Sequence, residues 1–405
     1  MEGKGTGSGI ADVRACLKKI REETGAKDII NTSVLLIMFT GYTLTFFVPR
    51  FYGLTEKYVG LFVFLMLSVL FAVNVNIREK IRTADKDLIA LILLVLATGI
   101  NILIVRSGFG CFFVAASFAM IFYLSGEMPF RKWQVYLFGA LYTAMVIYWF
   151  FGVYTWMFAD YSSFAMNTNT AATFTVYSML GVFVFLEALM EKHPIAGLAV
   201  TAALIKCLQI SLYHRSRGAF IMLLVFFILR FIIPKKLWEK KGFFMTACCL
   251  AIFGSLAFVA FYVWLSATGV NFRMPFFYKN IFSGREAIWL EFWELFRKKP
   301  LTGIGTNVTI TSFFEFNVHN AMYNILVIHG VIVFGLTVFL MLRRWNGIRK
   351  GISRNRVRLC AFLAVLAVCF ESYFDVDLIW TDYSVNLFFL LHVANVREGE
   401  ERDGS

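Results

Sequence analysis

Apolar residues run along this chain in long stretches separated by short charged ones, and the stretches are too long for the elements of a water-soluble core. A helix needs roughly 20 mostly apolar residues to cross a bilayer. Twelve such runs are read at about 29–48, 58–77, 88–105, 108–125, 134–153, 171–190, 195–212, 219–233, 243–265, 321–342, 358–377 and 379–394. The pattern predicts an all-α polytopic membrane protein with about 12 transmembrane helices. Asp375, Asp377 and Asp382 crowd the junction of the last two runs, which either span fully or form a re-entrant hairpin. The first run is full-length and no small-residue cleavage pattern precedes it, so it is expected to stay as an anchor. Composition points the same way, with 59% hydrophobic and only 16% charged residues.

Basic residues concentrate in the cytoplasmic loops of such proteins. With the N-terminus inside, segments 1–28, 78–87, 126–133, 191–194, 234–242, 343–358 and 395–405 hold 26 Lys and Arg, against 11 in the alternate loops. This predicts a bacterial inner-membrane protein with both termini cytoplasmic. It divides into a cytoplasmic amphipathic segment (1–28), helices 1–9 (29–265), a large external loop (266–320), helices 10–12 (321–394) and a cytoplasmic tail (395–405). Ile10, Val13, Leu17 and Ile20 share a helical face among Arg14, Lys18, Lys19 and Arg21, which suits either a helix lying on an anionic leaflet or a solvated tail. The net charge of +13 belongs mostly to the inside loops and their lipid headgroups, so nucleic acid is not an expected partner. Of the seven cysteines only Cys16 lies outside the runs. No CxxC pair or Cys/His spacing suggests a disulfide framework or a metal site.

The basic residues left outside invite an explanation. Arg215 and Arg217 occupy one short loop, and six more lie in 266–320. Their natural partner is an anion at the outer face, although long loops also translocate regardless of charge. Within the long loop, Ser283-Gly284-Arg285-Glu286 has capping-box spacing and predicts a helix of about four turns. Ile288, Trp289, Phe292, Trp293, Leu295 and Phe296 fill one arc of it, and Arg285 falls on that same arc. As the second helical residue, Arg285 is set beside free backbone N–H groups, a place suited to phosphate. The other reading pairs it with Asp160 or Asp375. Pro300, Gly303 and Gly305 break the helix, and the chain re-enters the bilayer through Val318-His319-Asn320. His319 is either a structural interfacial histidine or a general base, the task to which an imidazole is suited near neutral pH. Lys206, His329 and Glu371 lie within predicted spans, where charged groups are costly; they either pair or line a groove.

These elements come in an order that resembles the bacterial O-antigen ligase and O-antigen polymerase family. Asn167-Thr168-Asn169-Thr170-Ala171-Ala172 is similar to the family's Asn-x-Asn-x-x-Ala element, with Thr168 where many relatives have proline. Ser216-Arg217-Gly218 resembles its Ser-Arg-Gly element. Arg285 with Trp289, then Pro-Leu-Thr-Gly-Ile-Gly at 300–305, then His319-Asn320 with Gly330 and Gly335, resembles its large-loop block. The likeness is carried by residues 160–345.

The resemblance implies a metal-independent glycosyltransferase with a GT-C-like, all-helical fold and no cofactor. It would take oligosaccharide from an undecaprenyl diphosphate carrier at the external face and pass it to an acceptor glycan or lipid. Arg217, Arg285 and His319 are the implied catalytic residues, the two arginines on the diphosphate and His319 on the acceptor hydroxyl. Arg215, Asn167, Asn169, Trp289 and Asn320 are implied in substrate binding, with Arg215 equally suited to snorkelling. Asp375-Val376-Asp377 is read as a solvated helix end rather than a metal-binding Asp-x-Asp. Polymerase is favoured over ligase by the lack of any feature for a special acceptor. A lipid-linked oligosaccharide flippase also fits a dozen spans with buried charges, but neither it nor a scaffolding protein requires Arg217, Arg285 and His319 to converge.

Overall fold

Two short helices, apolar on every side, form the middle of a helical bundle, as expected of helices that meet protein all round. The computed structural model describes residues 25–128, 130–154, 167–190, 193–312 and 317–396. The expected N-terminal amphipathic helix, Asp160 and most of the C-terminal tail lie outside the described residues. In chain order the helices are α1 (Ala26–Phe47), α2 (Pro49–Asn74), α3 (Ile77–Arg82), α4 (Lys86–Val105), α5 (Phe109–Glu127), α6 (Lys132–Tyr148), α7 (Thr168–Met190), α8 (Ala196–Tyr213), α9 (Arg217–Phe227), α10 (Lys241–Ala267), α11 (Arg285–Phe296), α12 (Ala321–Arg349), α13 (Arg356–Glu371) and α14 (Ser384–Ala394). No strand is formed among the described residues.

The protein is thus an all-α polytopic membrane protein. Nine of its described helices are long and apolar enough to cross a bilayer. The remaining three predicted runs are helical over fewer residues: α9, which continues as a π-helix over Ile228–Ile232, and α13 and α14. At about 1.5 Å per residue, α13 and α14 measure roughly 24 and 17 Å, short of the ~30 Å hydrocarbon thickness. They survive as short helices because α5, α7, α9 and α10 surround them. The turn that joins them is consequently sunk within the bundle.

Contacts sort the loops into two ends. Lys80 bridges Asp85 (2.9 Å) and Glu127 (2.8 Å), Arg344 reaches Asp87 and Glu127 (both 3.4 Å), and Arg356 reaches Glu187 (3.4 Å). All of these lie in or beside segments predicted to be inside. At the opposite end Ser107 meets Thr306 (2.8 Å), Arg217 meets the Ile281 carbonyl (2.9 Å) and Arg285 meets Asp375 (3.5 Å). These contacts thus gather the segments named here into two groups.

Helix α12 is broken at Gly330, which has φ 84° and ψ 170°. Broken helices at membrane depth must have their freed carbonyls satisfied. Here the Pro300–Gly305 segment folds into the break: Ile304 and Gly305 N–H donate to the carbonyls of Val327 (2.9 Å) and Ile328 (3.1 Å), and Val331 N–H donates to Pro300 (2.9 Å). The Asn101 side chain donates to the His329 carbonyl at 2.6 Å. His329 is thus buried beside the break, Lys206 lies on the exposed side of α8 against Gln209 (3.1 Å), and Glu371 ends α13; the three do not pair.

A Cβ on residue 330 would sit 2.1 Å from the Leu301 carbonyl oxygen, whereas one on Gly335, in the same helix, meets open space. Gly330→Ala should therefore cost about 1–3 kcal/mol through backbone strain alone, with the clash added. Gly335→Ala should be neutral or stabilise by up to about 1 kcal/mol. Thermal unfolding of the two variants in detergent checks this, and equal unfolding temperatures would contradict the break.

Candidate active site

The Ser216-Arg217-Gly218 element divides three tasks among three residues. Ser216 is the N-cap of α9 and accepts the Ala219 N–H. Arg217, the first helical residue, sends its guanidinium to the carbonyls of Ile281 (2.9 Å) and Asn280 (3.4 Å). Gly218 leaves space, since a Cβ there would lie 2.6 Å from Glu371 Oε1.

Arg285 is likewise the first residue of its helix. The expected capping box is not formed: the N-cap is Gly284, at φ 86°, and no side chain caps the helix. Glu286 still reaches back, accepting the Gly284 N–H at 3.2 Å. A left-handed cap is easy for glycine and costly for serine, which moves the start of α11 one residue past the predicted one. Ile288, Trp289, Phe292 and Phe296 are buried as the arc predicted, while Trp293, at the arc's edge, is exposed.

Arg217 and Arg285 line one small polar cleft together with Asn169, Thr173, Ser216, Lys279, Glu371 and Asp375. The first turns of α7, α9 and α11 all open onto it. Helix N-termini present unpaired N–H groups and a partial positive charge. Lys279 records the local field: burial, and then the guanidiniums of Arg217, Arg285 and Arg215, lower its pKa from the ordinary value. Three cationic side chains and three helix starts thus share one recess with the carboxyl groups of Asp375 and Glu371.

One carboxylate joins Arg285 to His319. Asp375 Oδ2 lies 3.5 Å from Arg285 Nη2, and Oδ1 lies 3.4 Å from His319 Nδ1. Near it Asp377 is buried. The reading of Asp375-Val376-Asp377 as a solvated helix end is therefore corrected. That reading assumed full-length spans, and the shortness of α13 and α14 draws the turn inward. Glu371, fully buried, completes the acidic side of the cleft.

His319 has φ 49°, in the left-handed region, a conformation few residues adopt without cause. Its N–H is held by the Asn317 side chain at 2.9 Å, and the next residue is pinned from several directions. Asn320 caps α12 through Tyr323 N–H (2.9 Å), accepts from Ser255 (2.7 Å) and donates to the Tyr373 carbonyl (3.1 Å). Trp289 is buried and donates to the Val318 carbonyl at 2.6 Å. Both thus support the strand of chain that presents His319, and neither lines the cleft.

Of the other expected site residues, Asn169 lines the cleft, while Asn167 accepts the Asn169 N–H at 2.9 Å from outside it. Arg215 is exposed, with its guanidinium 5.6 Å from the centre of the Tyr278 ring. Sequence reasoning missed Thr173, Lys279 and Asp377 as neighbours of the site, whereas it named Asp375 as the other partner for Arg285 and Glu371 as a residue that lines a groove, and the structure shows both. The Lys279 charge was among those counted outside; nothing local marked Asp377, whose burial comes from helix packing. Among the described residues no group of three His, Cys, Asp or Glu side chains is placed to hold a metal ion.

Comparison with curated proteins gave no match. Residues 202–338 match the family described as O-antigen ligase; this stretch contains Arg215, Arg217, Arg285 and His319. The match and the membrane-crossing helices support a membrane protein of O-antigen ligase or polymerase type, and place the chain's likeness with the O-antigen ligase and polymerase family.

Proposed function

We propose that this protein is a glycosyltransferase that moves oligosaccharide from an undecaprenyl diphosphate carrier to an acceptor glycan at the outer face of the bacterial inner membrane. The observation that carries the reading is that Arg217, Arg285 and Lys279 line one recess with three helix starts, while Asp375 joins Arg285 to His319. A guanidinium stays charged and matches phosphate oxygens with paired donors. A diphosphate is already a good leaving group, so what the protein must supply is position and neutralisation of departing charge.

In this mechanism Arg217 and Arg285 hold the diphosphate, with Lys279 adding to the field. The acceptor hydroxyl oxygen bonds to the sugar's anomeric carbon. The bond from that carbon to the diphosphate oxygen breaks and the electron pair leaves with the phosphate. The hydroxyl proton passes to His319. With Nδ1 turned to Asp375, Nε2 is the ring nitrogen that receives it, and the carboxylate stabilises the imidazolium formed. No metal is needed, because the charge is met by arginine. Among the described residues nothing marks a dedicated site for a different anchor molecule, and polymerisation is the reading preferred over ligation. A flippase would have no use for an imidazole set on the carboxylate that also holds a diphosphate-binding arginine.

Purified protein incubated with a lipid diphosphate oligosaccharide should give a ladder of extended products; transfer only when a second anchor is added would make it a ligase. Arg217→Ala and Arg285→Ala should each cut turnover by about 10²-fold or more with folded protein retained, and wild-type rates in either variant would remove that residue from the site. Asp375→Asn keeps the shape but loses the charge. It should lower turnover by about 10² or more, since the imidazole loses the partner that sets its tautomer, while substrate binding changes less. For sidedness, a membrane-impermeant thiol reagent should label Thr311→Cys from outside intact cells and leave Lys350→Cys unlabelled. The reverse pattern would invert the topology and overturn the outer-face assignment.

A further inference from the structure

The segment that follows α10 turns back on itself and carries its bulkiest apolar side chains outward. Phe272 accepts the Ile281 N–H (2.9 Å) and Met274 N–H donates to Lys279 (2.9 Å), closing a tight turn over residues 272–281. Phe276 and Tyr278 at its tip have φ of 66° and 52°, a region disfavoured for side chains of this bulk. The Arg273 side chain holds that shape by donating to the Tyr278 carbonyl at 3.0 Å. Phe277 points inward and packs on Phe220 of α9, but Phe276 is 74% exposed and Phe272 51% exposed.

Exposed phenylalanines in water are a liability, and these have a partner nearby. The turn begins five residues after α10 ends, and the last turns of α10 carry Phe261 and Trp264, exposed at 54% and 59% on a helix that crosses the membrane. Tryptophan at the end of a spanning helix marks the level of the lipid headgroups. Arg273 is exposed beside the phenylalanines, and Arg215 and Arg273 both lie over the Tyr278 ring, at 5.6 and 5.9 Å. Apolar rings continuous with a lipid-facing helix, flanked by exposed arginines, match an anionic bilayer surface.

We propose that the 272–281 turn is a membrane-interface anchor: Phe272 and Phe276 enter the leaflet on the side where the cleft opens, and Arg273 stays with the headgroup phosphates. The turn also supplies Lys279 to the cleft and the Asn280 and Ile281 carbonyls that hold Arg217. The anchor thereby ties the mouth of the cleft to the height of the headgroups. This inference does not rest on the reaction proposed above.

The test places the photoreactive residue p-benzoylphenylalanine at position 276 in the full chain, reconstituted in nanodiscs of phosphatidylethanolamine and phosphatidylglycerol. Thr311, exposed at the same end, is the control position. Irradiation followed by mass spectrometry should give phospholipid adducts several-fold more often at 276 than at 311. Should the 276 variant not fold, position 272 carries the same expectation. Equal adduct yields at the two positions would overturn the proposal, as would suppression of the 276 adducts by added soluble oligosaccharide, which would assign the rings to glycan stacking.

Discussion

The carboxylate of Asp375 joins segments that are far apart in sequence. It reaches Arg285 on the long loop and His319 at the re-entry into the membrane, from a turn that belongs to neither. Removing one partner of a charge pair leaves the other uncompensated, at a cost that grows with burial. Arg285 without Asp375 would face Arg217 and Lys279 across the same cleft with only an anionic ligand to offset them. The pair therefore fixes Arg285 at the cleft beside Arg217 and Lys279.

That placement depends on helix length. Because α13 and α14 are too short to traverse the bilayer, the turn between them stays inside the bundle, where Asp377 and Glu371 are buried. The starts of α7, α9 and α11 then surround it from the other side. One wall of the cleft is thereby acidic and the other cationic. The break in α12 serves the same end: the Pro300–Gly305 segment is anchored in it, which fixes the far end of the loop that α11 begins.

Much of this was legible in the chain. The apolar runs predicted the helices, and Arg217 and Arg285 stood out as basic residues where few are expected. The apolar arc of α11 placed Ile288, Trp289 and Phe292 correctly on its buried side. What was not legible depended on contacts distant in sequence. Gly330 reads as an ordinary small residue until Leu301 is seen against it. Gly218 is explained only by Glu371. Asp375 and Asp377 look like a solvated helix end because local sequence does not reveal how deep a turn lies. The N-cap of α11 was misplaced by one residue because Ser283 has capping spacing, while Gly284 has the freedom to take the left-handed cap.

The central claim is that the guanidiniums of Arg217 and Arg285 hold a lipid diphosphate in this cleft, beside the imidazole that Asp375 joins to it. The most direct measurement is a cryo-electron microscopy map of the protein in nanodiscs with undecaprenyl diphosphate bound. The account predicts diphosphate density between the side chains of Arg217 and Arg285, with His319 facing the adjoining space. Density settled instead against the arginines at the opposite end, around Arg343 and Arg344, would contradict it.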